Sequence, residues 1–262
     1  MVARMSETRL DFGKLPLIEA AVRASFSAPV PLTYGVVNAV ADRLKPSFPA
    51  LSEPQQLEIA PGVGPSPTEF GPPHLPGAVY GGHTAGLTVS VHPQVVVARW
   101  VKQHVPLETD YPRYSALRDA LWTAVEAFRQ GVGDEFPGVT VVNMSYVNFL
   151  PGSVPASVMS YFSDQAQLGA MAQARKVRKL EAAWSETEGL DVRFAIEQVT
   201  ANLGGKIEEG YRLTTAAGIR LAESLDAKSA LERVHGTLQS FFLKLISEHA
   251  KKEWQLQEVP CA

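Results

Sequence analysis

A chain of 262 residues with 45% hydrophobic and 19% charged residues has the composition of a folded protein, which excludes wholesale disorder. The formal net charge of -3 gives no overall pull toward nucleic acid or anionic lipid. The one cysteine, Cys261, excludes an intrachain disulfide and a cysteine-built zinc site.

Residues 1–14 are polar and predict a flexible N-terminus. They carry acidic residues and no continuous apolar run, so neither a signal peptide nor a membrane span is expected, and a cytoplasmic location is. A single α+β domain is expected over 15–262, divided into halves at 15–150 and 151–262. From residue 15 the run LPLIEAAVRASF alternates, with Ile18, Ala20, Val22, Ala24 and Phe26 on one side and Glu19, Arg23 and Ser25 on the other, as in a strand with one buried face. The segment 33–44 places Val36, Val37, Val40 and Leu44 on one helical face behind a capping Thr33.

Residues 45–86 hold a large share of the 19 prolines and 20 glycines and predict a long surface loop, with a short edge strand at 56–60. LTVSV at 87–91 and QVVVARWV at 94–101 predict two strands joined by a tight turn. The segment 111–130 has Tyr114, Leu117, Leu121, Trp122, Val125 and Phe128 at helical spacing, ended by Gly131 and Gly133. GVTVVNMSYVNFL then predicts a central strand, with Val142, Met144, Tyr146 and Asn148 on one side.

The order strand, helix, two strands, helix, strand predicts a ferredoxin-like β-α-β-β-α-β half with a mostly antiparallel sheet. In the second half, residues 167–184 predict a helix, and 191–203 and 211–221 predict two further strands. The last predicted element is one amphipathic helix over 229–254, about 40 Å long at 1.5 Å per residue, lying on the sheet. A helix-grip fold, with the sheet wrapped around that helix, is the alternative.

LPLIEA at 15–20, YPRYSALRDAL feeding a strand that ends Tyr146-Val147-Asn148, and LERVHGTLQSFFLKLIS at 231–247 resemble a family of sporadically distributed bacterial proteins with no assigned function. Members open with Leu-Pro-x-x-Glu-Ala, carry Arg-Tyr-x-Asn near the middle, and close with Leu-x-x-x-His followed seven residues later by Phe. His235 and Phe242 keep that spacing, and Ser145 stands where the Arg is usual. The resemblance implies no reaction. Through its association with sporadic distribution, it implies a component of a mobile bacterial defence or toxin-linked system.

The candidate ligand or partner pocket is Glu19, Tyr146, Asn148, His235 and Phe242. Tyr146 and Asn148 share a face of the central strand and either line a cavity or fix strand register by hydrogen bonding. Glu19 on a strand is either an acid or base in a pocket or half of an ion pair. Arg175, Lys176, Arg178 and Lys179 form the most basic run and are the candidate nucleic-acid contacts if the run is more than a solvated face. His74, His83, His92 and His104 have no carboxylate or second His at i, i+4 within a predicted helix, and His235 and His249, fourteen residues apart on the last helix, cannot share one ion, so no metal site is expected. No GxxxxGK[ST], GxGxxG or GxSxG occurs, so no catalytic residue, metal or cofactor is expected. A non-enzymatic protein that binds another protein or a copy of itself is the leading expectation. A small-molecule or enzymatic pocket between sheet and helix is the alternative, and RNA or DNA binding the second.

Overall fold

The strand at Val139–Pro151 is hydrogen-bonded along both edges, and its alternation decides what lies on each side of the sheet. The structure, a computed structural model, describes residues 8–12, 16–52, 77–102, 111–152, 158–163, 178–186, 189–203, 206–222 and 225–260. The described residues form eleven strands: β1 Thr8–Phe12, β2 Leu17–Phe26, β3 Ala50–Ser52, β4 Ala78–Gly81, β5 Leu87–His92, β6 Val95–Val101, β7 Val139–Pro151, β8 Lys179–Ser185, β9 Leu190–Leu203, β10 Lys206–Arg220 and β11 Leu256–Pro260. The helices are α1 Tyr34–Leu44, α2 Arg113–Val132, α3 Ala227–Leu245 and α4 Glu248–Glu253. None is long and apolar enough to cross a membrane.

Nine strands form one antiparallel sheet in the order β3-β4-β5-β6-β2-β7-β10-β9-β8. The protein is therefore α+β with a mainly antiparallel sheet. The helices α1, α2 and α3 pack on the same face. Ala20, Val22 and Ala24 of β2, Val142 and Met144 of β7, and Ala217 and Ile219 of β10 join Leu117, Leu121 and Phe128 of α2 and Leu231, Val234 and Leu238 of α3 in one buried cluster. A second cluster, under the end of α3 and α4, contains Leu150, Phe194, Ile196, Leu213, Leu245, Ile246 and Trp254. The caps at Thr33 and Asp226 form as their sequence contexts predict, accepting from the N–H groups of Val36 and Ser229.

Four predicted elements differ. Residues 8–12 are not a loose end: β1 pairs with β11 in a two-stranded ribbon. Part of the predicted loop forms strands, β3 pairing with β4, while 56–60 lies outside the described residues. The helix predicted over 167–184 is, where described, the strand β8. Its residues are good helix formers, but cross-strand pairing with β9 wins, bringing Arg193 to 3.6 Å from Glu181; Glu181 also pairs with Lys179 along its own strand at 2.8 Å, and Trp184 lies edge-on to Phe241 of α3.

The single 229–254 helix is also corrected. α3 stops after 19 residues, and a break at Ile246 and Ser247 separates it from the six-residue α4. Ile246 bridges to Phe162, Ser247 N–H donates to the Tyr161 carbonyl at 2.9 Å, and Ser247 Oγ donates to the Ser160 carbonyl at 2.6 Å. The same Oγ accepts the Ala250 N–H at 3.1 Å and caps α4. Backbone bonds to an adjacent segment thus outcompete two turns of helix. Ser247→Ala, which removes both side-chain bonds, is expected to cost about 1 kcal/mol and lower Tm by roughly 2–4 °C, measured by denaturant and thermal unfolding.

Candidate functional site

On the helix-covered side, each strand contributes one residue to a row across the sheet. Trp100 of β6 pairs with Ala20 of β2, Ala20 with Tyr146 of β7, and Tyr146 with Thr215 of β10. Asn148 follows two residues along β7, between Leu17 and Leu213. This polar row lies where the two buried clusters meet.

Above it stand two tyrosines at the start of α2. Tyr111 is edge-on to Trp100 at 5.4 Å and to Tyr146 at 6.4 Å. The backbone between Tyr111 and Tyr114 is left-handed at Arg113, with φ 78°, a conformation that costs a non-glycine residue about 1 kcal/mol or more. Gly86 supports the Trp100 end. Its φ is +79° and a Cβ there would lie 2.1 Å from the Val101 carbonyl oxygen, so a side chain has no room.

Tyr146 is enclosed by protein, and burial, then Tyr111, holds its hydroxyl well above the usual tyrosine range. The residue nevertheless keeps accessible surface on a strand whose backbone is paired on both sides. The polar atoms along the row are poorly satisfied. Trp100 Nε1, Tyr111 Oη, Asn148 Oδ1 and Thr215 Oγ1 are buried with no hydrogen-bond partner among the described residues. Tyr111 and Tyr146 approach one another but miss hydrogen-bond geometry at the Tyr111 oxygen.

His235 of α3 closes one side. Its ring stacks on Tyr114 at 3.7 Å and 10°. The Tyr114 hydroxyl donates to Glu232 Oε1 at 3.1 Å, and Arg118 donates to the same oxygen at 3.3 Å. Burial first, and then the Arg118 charge, lowers the His235 pKa to about 4, so the imidazole is neutral at pH 7. Burial, then Glu232, raises that of Tyr114.

Of the residues chosen from sequence, Tyr146, Asn148 and His235 are brought together, His235 through Tyr114. Phe242 belongs to the second cluster, stacked on Trp254 at 6.1 Å. Glu19 is on the opposite face, where Arg99 grips it with two bonds of 2.9 and 2.7 Å. It is half of an ion pair, away from Tyr146. Arg175 and Lys176 lie outside the described residues. Lys179 starts a strand, not a helix, and is paired with Glu181. Arg178 borders a groove of about 410 Å³ whose lining includes Glu197 and Glu209, two carboxylates that disfavour phosphate. Among the described residues, no three His, Cys, Asp or Glu side chains converge on a metal position.

Tyr111, Tyr114, Trp100 and Thr215 were not singled out as site residues. Thr215 carried a signal: it is the polar member of the buried alternation Tyr211, Leu213, Ala217, Ile219. A comparison with protein-family models and with curated proteins gives no match for this chain.

The depressed pKa of His235 makes a pH prediction. The unfolded chain takes up the proton near 6.5 and the folded one near 4, so the His235 contribution is complete above 6.5 and is lost as pH falls toward 4. His235→Phe keeps the stack on Tyr114 and cannot titrate. Its stability should therefore fall less steeply than wild type between pH 6.5 and 4 in urea unfolding.

Proposed function

We propose that the protein binds a small uncharged molecule in the space beside Tyr146 and carries out no reaction on it. The observation that supports this best is the row of buried polar atoms without hydrogen-bond partners among the described residues, Trp100 Nε1, Tyr111 Oη, Asn148 Oδ1 and Thr215 Oγ1. The space has aromatic walls in Trp100, Tyr111 and Tyr146, one free acceptor in Asn148 Oδ1, and hydroxyls at Tyr111 and Thr215 that can donate or accept. That set suits a planar ligand with at least one N–H or O–H donor and disfavours an ion, which would lose its hydration without gaining a counter-charge. The groups are poor catalysts: the tyrosines stay protonated, the neutral His235 is held in a stack, and Glu232 is engaged by Tyr114 and Arg118.

The architecture fits this use. The neighbours β5-β6-β2-β7, with α1 and α2 in the crossovers, support a ferredoxin-like first half rather than a helix-grip, because α2 covers the row as much as the C-terminal helix does. The likeness to sporadically distributed bacterial proteins rests on residues that include His235, which closes this space.

Native mass spectrometry of purified protein is expected to show a retained small molecule, or a thermal shift with millimolar indole or adenine as probes. Either response should disappear in Asn148→Leu, checked for folding by circular dichroism. Wild-type protein with neither an adduct nor a shift refutes the assignment.

A second reading, self-association, has its own observation. β8 ends the sheet with no further strand among the described residues, and Ala182, Ala183 and the 37% exposed Trp184 lie along it. Pairing of two such edges predicts dimers by light scattering at high micromolar concentration, reduced to monomers by Ala183→Pro.

A further inference from the structure

The break between α3 and α4 sets α4 against the segment 158–163, where a continuous helix would have carried its side chains on along the axis of α3. Four rings lie in series at this junction. Phe242 stacks on Trp254 at 6.1 Å and 14°, Trp254 on Tyr161 at 5.4 Å and 19°, and Tyr161 on His249 at 5.9 Å and 27°. Trp254 is buried, whereas His249, at the outer end, is at the surface.

His249 and Glu253 are four residues apart, so one turn of α4 brings their side chains to the same side. His249 Nε2 lies 3.2 Å from Glu253 Oε2, and the other carboxylate oxygen, Oε1, accepts the Tyr161 hydroxyl at 3.1 Å. Tyr161 therefore orients both members of the pair, the imidazole through its ring and the carboxylate through its hydroxyl. Exposed ion pairs ordinarily lose much of their gain to the freedom of two long side chains, and here that freedom is already reduced. A proton on Nε2 makes the contact an ion pair. A cation in the same gap makes it two ligands, and the spacing suits that use: a nitrogen and an oxygen bound to one tetrahedral ion of zinc's size stand about 3.3–3.4 Å apart. Lys251, on the same short helix, is engaged by Glu248 rather than by Glu253.

We infer that His249 Nε2 and Glu253 Oε2 hold a divalent ion of the zinc class, with Tyr161 as the residue that positions both ligands. An imidazole nitrogen beside a carboxylate oxygen is a donor set for zinc, and also for copper(II) or nickel(II), and a poor one for magnesium or calcium, which take oxygen alone. The two side chains are 59% and 47% exposed, so an ion can enter and its remaining positions are left to water. The bond from Tyr161 to the oxygen that does not meet His249 is the outer support that ligating carboxylates carry. The site is made of two ligands on one helical turn rather than three from separate elements. It is independent of the polar row beside Tyr146, and either can fail alone.

The test is calorimetric titration of the full chain, first stripped with a chelator, using zinc chloride at neutral pH and magnesium chloride as control, alongside thermal unfolding with and without zinc. Wild type should bind zinc saturably, gain stability with it, and ignore magnesium. His249→Gln and Glu253→Gln each remove one ligand and should lose this binding. Tyr161→Phe keeps the ring stack and removes the hydroxyl bond. It should bind zinc about 10–100-fold more weakly while its metal-free Tm stays close to that of wild type. A wild type that takes up no zinc overturns the assignment, and so does zinc binding that survives His249→Gln, which would place the ion at another histidine. Zinc affinity unchanged in Tyr161→Phe overturns the positioning role.

Discussion

The register of β7 is the constraint on which the remaining structure depends. Because β7 is paired with β2 on one edge and β10 on the other, a slip of one residue would exchange its two faces completely. Val142, Met144, Tyr146 and Asn148 would turn away from the helices, and Asn143, Ser145 and Val147 would meet them. The helix-side residues of β2 and β10 leave no freedom for that exchange, since Ala20, Val22, Ala217 and Ile219 are all buried in the same cluster. The polar row follows from this one pairing, which turns Tyr146 and Asn148 toward the helices and Asn143 and Ser145 away from them.

The meeting of two apolar clusters along a polar row is unusual in its energetics. Each buried polar atom left without a partner costs about 1–3 kcal/mol, and several lie near that row. Apolar residues of similar volume at Thr215 and Asn148 would join the clusters and remove the cost. Flanking strands are heavily apolar at the equivalent positions, Phe194 and Ile196 on β9 among them, so sheet geometry does not demand polarity there. The stability lost along the row is offset by the two clusters that flank it.

Much of the fold was legible in the sequence, and the exceptions share a cause. Alternation identified the buried face of β2 from Ala20 onward and that of β7, while a bulge between Leu17 and Glu19 puts Leu17 rather than Ile18 in the core; helical spacing identified α1 and α2, because one side of each is buried and the other is not. β8 was misread as a helix because its sequence is locally helix-favouring and nearly all its residues are exposed, which erases the period-two signal. The end of α3 was misread for the opposite reason. The apolar periodicity continues through Ile246, but that side chain is buried by a chain segment some eighty residues earlier, at Phe162. Among site residues, Tyr146 and Asn148 were visible as polar members of an apolar strand. Tyr111, which meets Trp100 and Tyr146 edge-on, was not, because it lies ahead of α2 beside a left-handed residue, Arg113, that no residue type announces.

The ribbon of β1 and β11 joins segments roughly 250 residues apart, and closing a loop of that length from a disordered chain costs about 5 kcal/mol in entropy. Five paired residues on an otherwise separate two-stranded ribbon cannot meet that cost unaided. The two segments meet cheaply only after the large sheet has brought their flanks into proximity. Zipping of these extremities is therefore the closing event of folding, and their fraying is the earliest departure from the native state.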